Sequence, residues 1–443
     1  MKNNLKDILI ISSANPSVAA GVLAVNYHEA LKNAGYNVDL LTKDKNSDYP
    51  EFLYVHEPKV FLFFKRCSVF FKRVFFKIFR IIVKRDYKIL HQRCFFYKYE
   101  DRPPISASKV LGSLPKEKNY DLIIVLFWQG MLSAKSLEAI YDRYKCQFFI
   151  MCVDYSPMTG GCHFIADCKT FKKGCGACEA WYSNNEKDFT YKNVLEKKRI
   201  YEKIKPVLFM NKYMDENYAS KSPALINVHK EYKDPVINEN LFCPTEKKSA
   251  KRIFGIDEDA KVIFFACQNL NDARKGGKYV LDALEIFYNA ISESEREEIL
   301  IILAGRSECE IASRIQFRYK SFGYVDSKKL IQLYQASDLY LSGSVIDAGP
   351  MMVNYALSCG IPVVAFNIGT AIDVVNGKNT GYCATEITSQ AFAEGIKWWH
   401  NLSDSQYSEI CKNCRNIALK TTSYKVFVNR IVEVYESLCA GND

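Results

Sequence analysis

A chain of 443 residues, 48% hydrophobic and 25% charged with 21 glycines and 13 prolines, is too long for one ordinary core and too apolar for disorder or a fibre. No run of about 18 apolar residues is free of charge, and the opening apolar run "ILII" is too short for a signal peptide. A spanning helix is therefore not expected, and the chain is expected in the cytoplasm with its 16 cysteines mostly reduced. The net charge of +10 sits in one place: between Lys59 and Lys98, Lys and Arg outnumber acids twelve to one, leaving the remainder close to neutral.

In chain order, "DILIISS", "NVDLLTK", "DLIIVLF" and "CQFFIMCVD" (ending at Asp154) read as buried strands. "LAVNYHEALKNAGY" between the first two reads as a helix closing on Gly35. After a polar join with two prolines, "KVIFFAC", "ILIILAG", "DLYLSGS" and "PVVAF" repeat the strand pattern, with helices such as "KYVLDALEIFYNAI" and "SKKLIQLYQAS" between them. Strands alternating with helices imply parallel sheets covered on both faces. The fold class expected is α/β: two doubly wound, Rossmann-like domains facing a cleft. The boundaries are 1–226, a linker at 227–249, 250–423, and a C-terminal helix at 424–443 with one route back to the first domain.

Ligands of doubly wound sheets bind at the carboxyl ends of the strands, so the loops there carry the chemistry. In "DLYLSGSVIDAGPMMVNYALSCGIPVVAF" the strand turns at "VIDAGP", with Pro350 placed at the first helical position. The N–H groups of Met351 and Met352 then lie at a helix N-terminus suited to a phosphate, and Asp347 stands where a carboxylate accepts hydrogen bonds from sugar hydroxyls. An ordinary strand–turn–helix steadied by its aspartate is the other reading. In "FFACQNLNDARKGGKYVLDAL", Arg274 and Lys275 precede Gly276 near a helix start, as a diphosphate site would need and as a solvated basic turn would also show.

Together, "RKGGKYVLDAL", "FGYVDSKKLIQLYQASDLYLSGS" and "DAGPMMVNYALSCGIPVVAFNIGTAIDVV" resemble the donor-binding domain of family-4 glycosyltransferases, the retaining enzymes of GT-B fold. "ILIISSANPSVAAGVLAVNYHEALKNAGYNVDLLT" is similar to the opening of the family's acceptor-side domain. "DYSPMTGGCHF" with the cysteines after it resembles a branch of bacterial surface-polysaccharide enzymes. The resemblance implies that Lys275, with Arg274, holds a donor diphosphate. It also implies that Asp347, first acid of the family's E-x7-E motif, contacts the transferred sugar. The backbone of Gly349, Met351 and Met352 would cradle sugar and phosphate, with Gly323 facing the base and Gly21 approaching the donor. Two positions depart from the pattern. The second acid, which binds the ribose, is Tyr355, and the histidine that often precedes Asp154 is Val153.

The activity implied is retaining transfer of a sugar from a nucleotide-sugar donor to a growing, lipid-linked glycan, with no cofactor required for catalysis. Asp154 is the candidate catalytic group of the first domain. A non-catalytic GT-B scaffold or regulatory subunit is the alternative, and an epimerase or phosphorylase on the same fold is a third.

Two further stretches carry expectations. Cys162, Cys168, Cys175 and Cys178, spaced C-x5-C-x6-C-x2-C, point to a structural zinc with His163 as an alternative ligand, or else to reduced thiols packing a loop. Arg66, Arg73, Lys77, Arg80 and Lys84 fall on one helical face of an aromatic-rich segment. That pattern fits an in-plane helix on the inner face of the cytoplasmic membrane through 59–98, or an amphipathic helix of the first domain. No fold signal supports nucleic-acid binding.

Overall fold

The structure, a computed structural model, describes residues 5–55, 105–181, 183–233, 235–307 and 311–440. The basic segment 59–98 lies outside the described residues. The chain forms two compact units, residues 1–209 with 218–231, and residues 210–217 with 232–443.

The first unit is built on a seven-stranded sheet in the order β3-β2-β1-β4-β5-β6-β7. Its strands are β1 (Asp7–Ser12), β2 (Asn37–Thr42), β3 (Leu53–Tyr54), β4 (Leu122–Val125), β5 (Gln147–Met151), β6 (Val207–Met210) and β7 (His229–Tyr232). The pairs β1/β2, β1/β4, β2/β3, β4/β5 and β5/β6 are parallel. Ile8–Ile11 and Leu122–Val125 are fully buried, as strands covered on both faces must be. The first helix runs Ala19–Asn33, four residues longer at its start than the apolar pattern predicts, and Gly35 (φ +92°) ends it in the left-handed region.

The second unit carries a six-stranded sheet, β10-β9-β8-β11-β12-β13. Its strands are β8 (Lys261–Asn269), β9 (Ile299–Arg306), β10 (Arg318–Ser321), β11 (Leu339–Ser342), β12 (Val363–Phe366) and β13 (Gly381–Ala384), paired in parallel throughout. Alternate residues feed two cores. Val262, Phe264, Leu300 and Ile302 enter one, whereas Ile263, Phe265, Ile301 and Leu303 enter the other. Strands with apolar residues at every position are stable only between two such layers, and that explains their unbroken apolar runs.

The residues read as a linker are shared out: 227–231 go with the first unit, 232–249 with the second, and the helix Lys247–Ile253 begins inside them. Lys247 anchors that helix by donating to the Asp338 carboxylate (2.8 Å) and the Tyr407 hydroxyl (2.8 Å). The last helix, Tyr424–Ala440, is part of the second unit. Strands β3, β6, β7, β10 and β13 have no counterpart in the sequence reading. All are four residues or fewer, too short for a periodic signal.

Candidate functional site

In the second sheet, β8 and β11 lie side by side, although the chain passes from β8 to β9 on the other flank. This reversal is a switch point, where the loops diverge and leave a crevice. The loop after β8 ends in a short turn, Ala273–Lys275, capped by Asp272, whose carboxylate accepts from the Arg274 N–H at 3.0 Å. Gly276 follows at φ +64°, and a Cβ there would lie 1.8 Å from the Gly343 carbonyl oxygen. Gly343, in the loop after β11, is equally constrained, since its Cβ would sit 2.6 Å from Val280. Two glycines thus let the loops touch backbone to backbone, and the Val345 N–H donates to the Arg274 carbonyl at 2.8 Å. The result is an ion pair between Lys275 Nζ and the Asp347 carboxylate.

Asp347 is buried and also accepts from the Gly349 N–H at 3.1 Å and from the Ser344 hydroxyl at 3.4 Å. Burial pushes its carboxyl up. The Lys275 ammonium, aided by the Gly349 N–H and the Arg274 charge, outweighs burial and holds it below the usual carboxylate range. Asp347 is therefore ionised at neutral pH. The helix Met351–Ser358 begins four residues on. Pro350 occupies its N-cap rather than the first helical position expected, and its carbonyl accepts the first helical bond, from the Val353 N–H at 3.0 Å. Lys275, Ser344, Pro350 and Met352 line a small cavity of about 20 Å³ with Cys267 and Tyr340. Cation, carboxylate and helix N-terminus thus lie together at the switch point, which suits a phosphorylated sugar.

Asn211 joins this site unannounced by any motif. Its side-chain amide donates to the Ala348 carbonyl, and its Oδ1 accepts the Met214 N–H at 2.8 Å, so one residue ties the Asp347 loop to the Lys212–Asn217 helix.

The other predicted residues are placed variously. Arg274 is next to the pair, but its guanidinium is mostly buried and bridged to Asp272. Gly349 sits under Asp347, and Met351 is half-buried at the helix start. Gly323 (φ +62°) accepts the Gly305 N–H at 2.8 Å at the carboxyl ends of β9 and β10. Tyr355 does not join the group: it is core, stacked on Phe242 at 4.1 Å with an interplanar angle of 6°, and burial pushes its hydroxyl up to about 12. Gly21 lies in the first unit, where a Cβ would be 1.8 Å from the Asn15 carbonyl oxygen, so it lets the loop after β1 fold back on the first helical turn.

The first unit has its own cluster, beyond β5. Asp154 is 1% exposed and accepts four bonds: from the Ser156 N–H (2.8 Å), the Ser156 hydroxyl (2.5 Å), the Gln129 amide (3.0 Å) and His163 Nδ1 (2.9 Å). Gln129 comes from the loop after β4, the switch-point neighbour of β1. No spacing signalled the meeting of Gln129 or His163 with Asp154: Gln129 comes from the loop after β4, and His163 folds back on Asp154 within their shared loop after β5.

The cysteine stretch requires a correction. Among the described residues no group of three or more His, Cys, Asp or Glu side chains converges as a metal site, so the expected zinc on Cys162, Cys168, Cys175 and Cys178 is not supported. All four are thiols. Burial pushes Cys175 up to about 11 and Cys178 up to about 12, keeping them protonated. Hydrogen bonds from the Phe189–Ile204 helix hold the loop instead. Lys197, 1% exposed, donates to the carbonyls of Ser156 (2.6 Å) and Thr159 (2.8 Å), Asn193 to Gly160 (2.9 Å), and Tyr201 to Pro157 (3.0 Å).

Comparison with known proteins gives the fold, and a family match for residues 246–421. Over 98% of this chain and 100% of the other, the structure is similar to a sucrose-phosphate synthase from Thermosynechococcus elongatus (TM-score 0.65, 15% identity). It is likewise similar to Anabaena HepE, solved in complex with UDP and glucose (TM-score 0.61, 13% identity, 98% and 100% covered). The fold is GT-B. Within it, residues 246–421 match the family model "Glycosyl transferases group 1", and the Lys275–Asp347 pair lies inside that match. An uncharacterised glycosyltransferase of Methanocaldococcus jannaschii is 23% identical over 199 residues, 43% of this chain and 48% of that one. The match spans about half the length of such curated relatives. No helix among the described residues of this GT-B chain is long and apolar enough to cross a membrane.

Proposed function

We propose that the chain is a retaining glycosyltransferase that moves a sugar from a nucleotide-sugar donor onto a growing, lipid-linked glycan of a bacterial surface polysaccharide. The observation that carries this reading is the Lys275–Asp347 pair at the switch point of the second sheet, beside a helix N-terminus and within the segment matching the group 1 model. Lys275 would neutralise the donor diphosphate, and Asp347 would accept hydrogen bonds from the sugar hydroxyls. Breaking the anomeric carbon–phosphate oxygen bond needs the leaving phosphate stabilised, which a fixed cation and a helix terminus do. The acceptor oxygen bonds to the anomeric carbon on the face the phosphate leaves, and its proton passes to that phosphate.

The test is thermal unfolding against a panel of nucleoside diphosphates and nucleotide sugars. A ligand at about a hundredfold its Kd stabilises by about 2.7 kcal/mol. Stabilisation by one nucleotide sugar supports the reading, and an unmoved curve with all of them overturns it. A second reading, a non-catalytic GT-B subunit of an assembly complex, is favoured by Tyr355, whose ring belongs to the core where the resembled family has its ribose-binding acid. A nucleotide sugar that stabilises the chain without being turned over would favour that reading.

The basic residues between Lys59 and Lys98 would place the protein on the inner membrane face, near a lipid-linked acceptor. Each Lys or Arg near an anionic surface contributes about 1 kcal/mol. Neutralising Arg66, Arg73 and Arg80 together should then weaken partition onto phosphatidylserine vesicles by about a hundredfold. Unchanged partition would remove the membrane role.

A further inference from the structure

The geometry of the first unit points to a second ligand site, a cavity between two helices that takes a small sugar bearing a phosphate or a carboxylate. The cavity measures about 190 Å³ and lies where the Ala134–Tyr144 helix begins. Its other wall is Lys192, Asn193, Glu196 and Lys197 of the Phe189–Ile204 helix. One water needs about 15 Å³ of such space, so the cavity admits a group of monosaccharide size. All its lining residues belong to the first unit, so the site is separate from the Lys275–Asp347 pair of the second.

The first N–H groups of a helix have no partner within it. Here the Ser136 N–H turns back to the Ser133 carbonyl at 2.9 Å, whereas those of Ala134 and Lys135 meet no acceptor among the described residues. Lys135 and Lys192 add two ammonium groups on exposed residues, and neither side chain makes a hydrogen bond or ion pair among the described residues. Glu196 is already engaged. Its carboxylate accepts from Arg199 at 2.9 and 3.2 Å, and those bonds, with a smaller pull from Lys135, hold it below the usual carboxylate range. Lys197, 1% exposed, spends its ammonium on the carbonyls of Ser156 and Thr159. Two open N–H groups and two cations without a bonded partner call for an oxyanion.

Asn193 identifies the rest of the ligand. It is 7% exposed, its amide N–H donates to the Gly160 carbonyl at 2.9 Å, and its Oδ1 has no partner among the described residues. A buried oxygen that only accepts calls for a donor, and an oxyanion has none to give. A hydroxyl does. The ligand therefore carries an oxyanion and a hydroxyl together, as a sugar phosphate or a sugar acid does.

The experiment is calorimetric titration of the full chain with glucose 6-phosphate, glucuronate, inorganic phosphate and glucose. At least one of the two acidic sugars should bind, and which one does so names the oxyanion. Glucose should bind at least about tenfold more weakly, for want of charge-assisted bonds. Inorganic phosphate should bind about tenfold more weakly than the acidic sugar, because it brings no sugar hydroxyl to Asn193. Lys135→Gln combined with Lys192→Gln should weaken binding by about tenfold, and both positions are exposed, so the fold should be kept. Ala134→Pro should weaken it by a similar factor. It removes one N–H yet suits the first helical position, since Ser133 (φ −134°, ψ 175°) already has the extended backbone that precedes a proline. Lys275→Ala should leave binding unchanged.

No binding of either acidic sugar, or binding that the lysine pair or Ala134→Pro leaves intact, overturns the site. Glucose bound as tightly as the acidic sugar overturns the oxyanion, and phosphate bound as tightly overturns the contact to Asn193. Loss in Lys275→Ala would move the binding to the second unit and overturns the site as well. None of these outcomes depends on whether a nucleotide sugar stabilises the chain, so this inference and the transferase reading fail separately.

Discussion

Two buried aspartates stand beyond the strands of the two parallel sheets, and they are treated oppositely. Asp347 meets a full positive charge, Lys275, delivered across 72 residues of sequence by the contact of two glycine-bearing loops. Asp154 meets two hydrogen-bond donors on Ser156, an amide and an imidazole, three of the four lying within nine residues of it. The first carboxylate has its charge matched by a cation that a phosphate could take over. The second has its lone pairs filled by hydrogen-bond donors. Burial alone therefore does not identify a reactive acid, and the chemistry of its partners does.

The largest test of this contrast is Lys275→Ala. Donor-induced stabilisation should disappear, and the free protein should lose about 2–3 kcal/mol in urea unfolding because Asp347 is left buried without its cation. That is less than for a fully enclosed pair, since Lys275 is 25% exposed. An undiminished response to nucleotide sugar would sink the donor-site assignment. Next, Lys197→Met should cost about 2 kcal/mol in urea by leaving the carbonyls of Ser156 and Thr159 without their donor, and should disturb His163 with the loop.

The pH dependence of Asp347 gives the third test. Its folded-state pKa lies below the unfolded value, so its contribution is present above the ordinary carboxylate range, near 4, and is lost as pH falls through the folded value. The stability gap between wild type and Asp347→Asn should accordingly narrow on acidification from about pH 6 to about pH 3, and a gap independent of pH would argue against the ion pair. Smallest is Glu138→Gln. Glu138 bridges Arg199 (2.6 Å) and Lys203 (2.8 Å) near the surface, and water screens such pairs, so the midpoint of thermal unfolding should move by no more than about 2 °C.

The sequence carried more of the second site than of the first. Lys275, Asp347, Gly349 and the helix at Met351 lie in two continuous stretches whose spacing reflects local turn and helix geometry, so both stretches were readable. Asn211 was not, because it reaches Ala348 from the segment between β6 and β7, 137 residues away in sequence. Arg274 was read as a phosphate ligand from its charge beside a helix start and from the resemblance, and the structure bridges it to Asp272. The four cysteines matched a metal spacing in part, yet the loop closes on Lys197 and Asn193 from a helix that follows it.

What the sequence by itself determined is the alternation of buried strands and helices, hence two parallel sheets, and the two loop stretches bearing Lys275 and Asp347. These follow from side-chain periodicity and from the backbone needs of Gly276 and Pro350, which are local. Only the tertiary structure decided that Lys275 pairs with Asp347, that Tyr355 stacks into the core, and that Asp154 meets Gln129 and His163. Those choices depend on strand order. In a parallel sheet, neighbours in space are set by crossovers of tens of residues, and no local period records which loop arrives beside which.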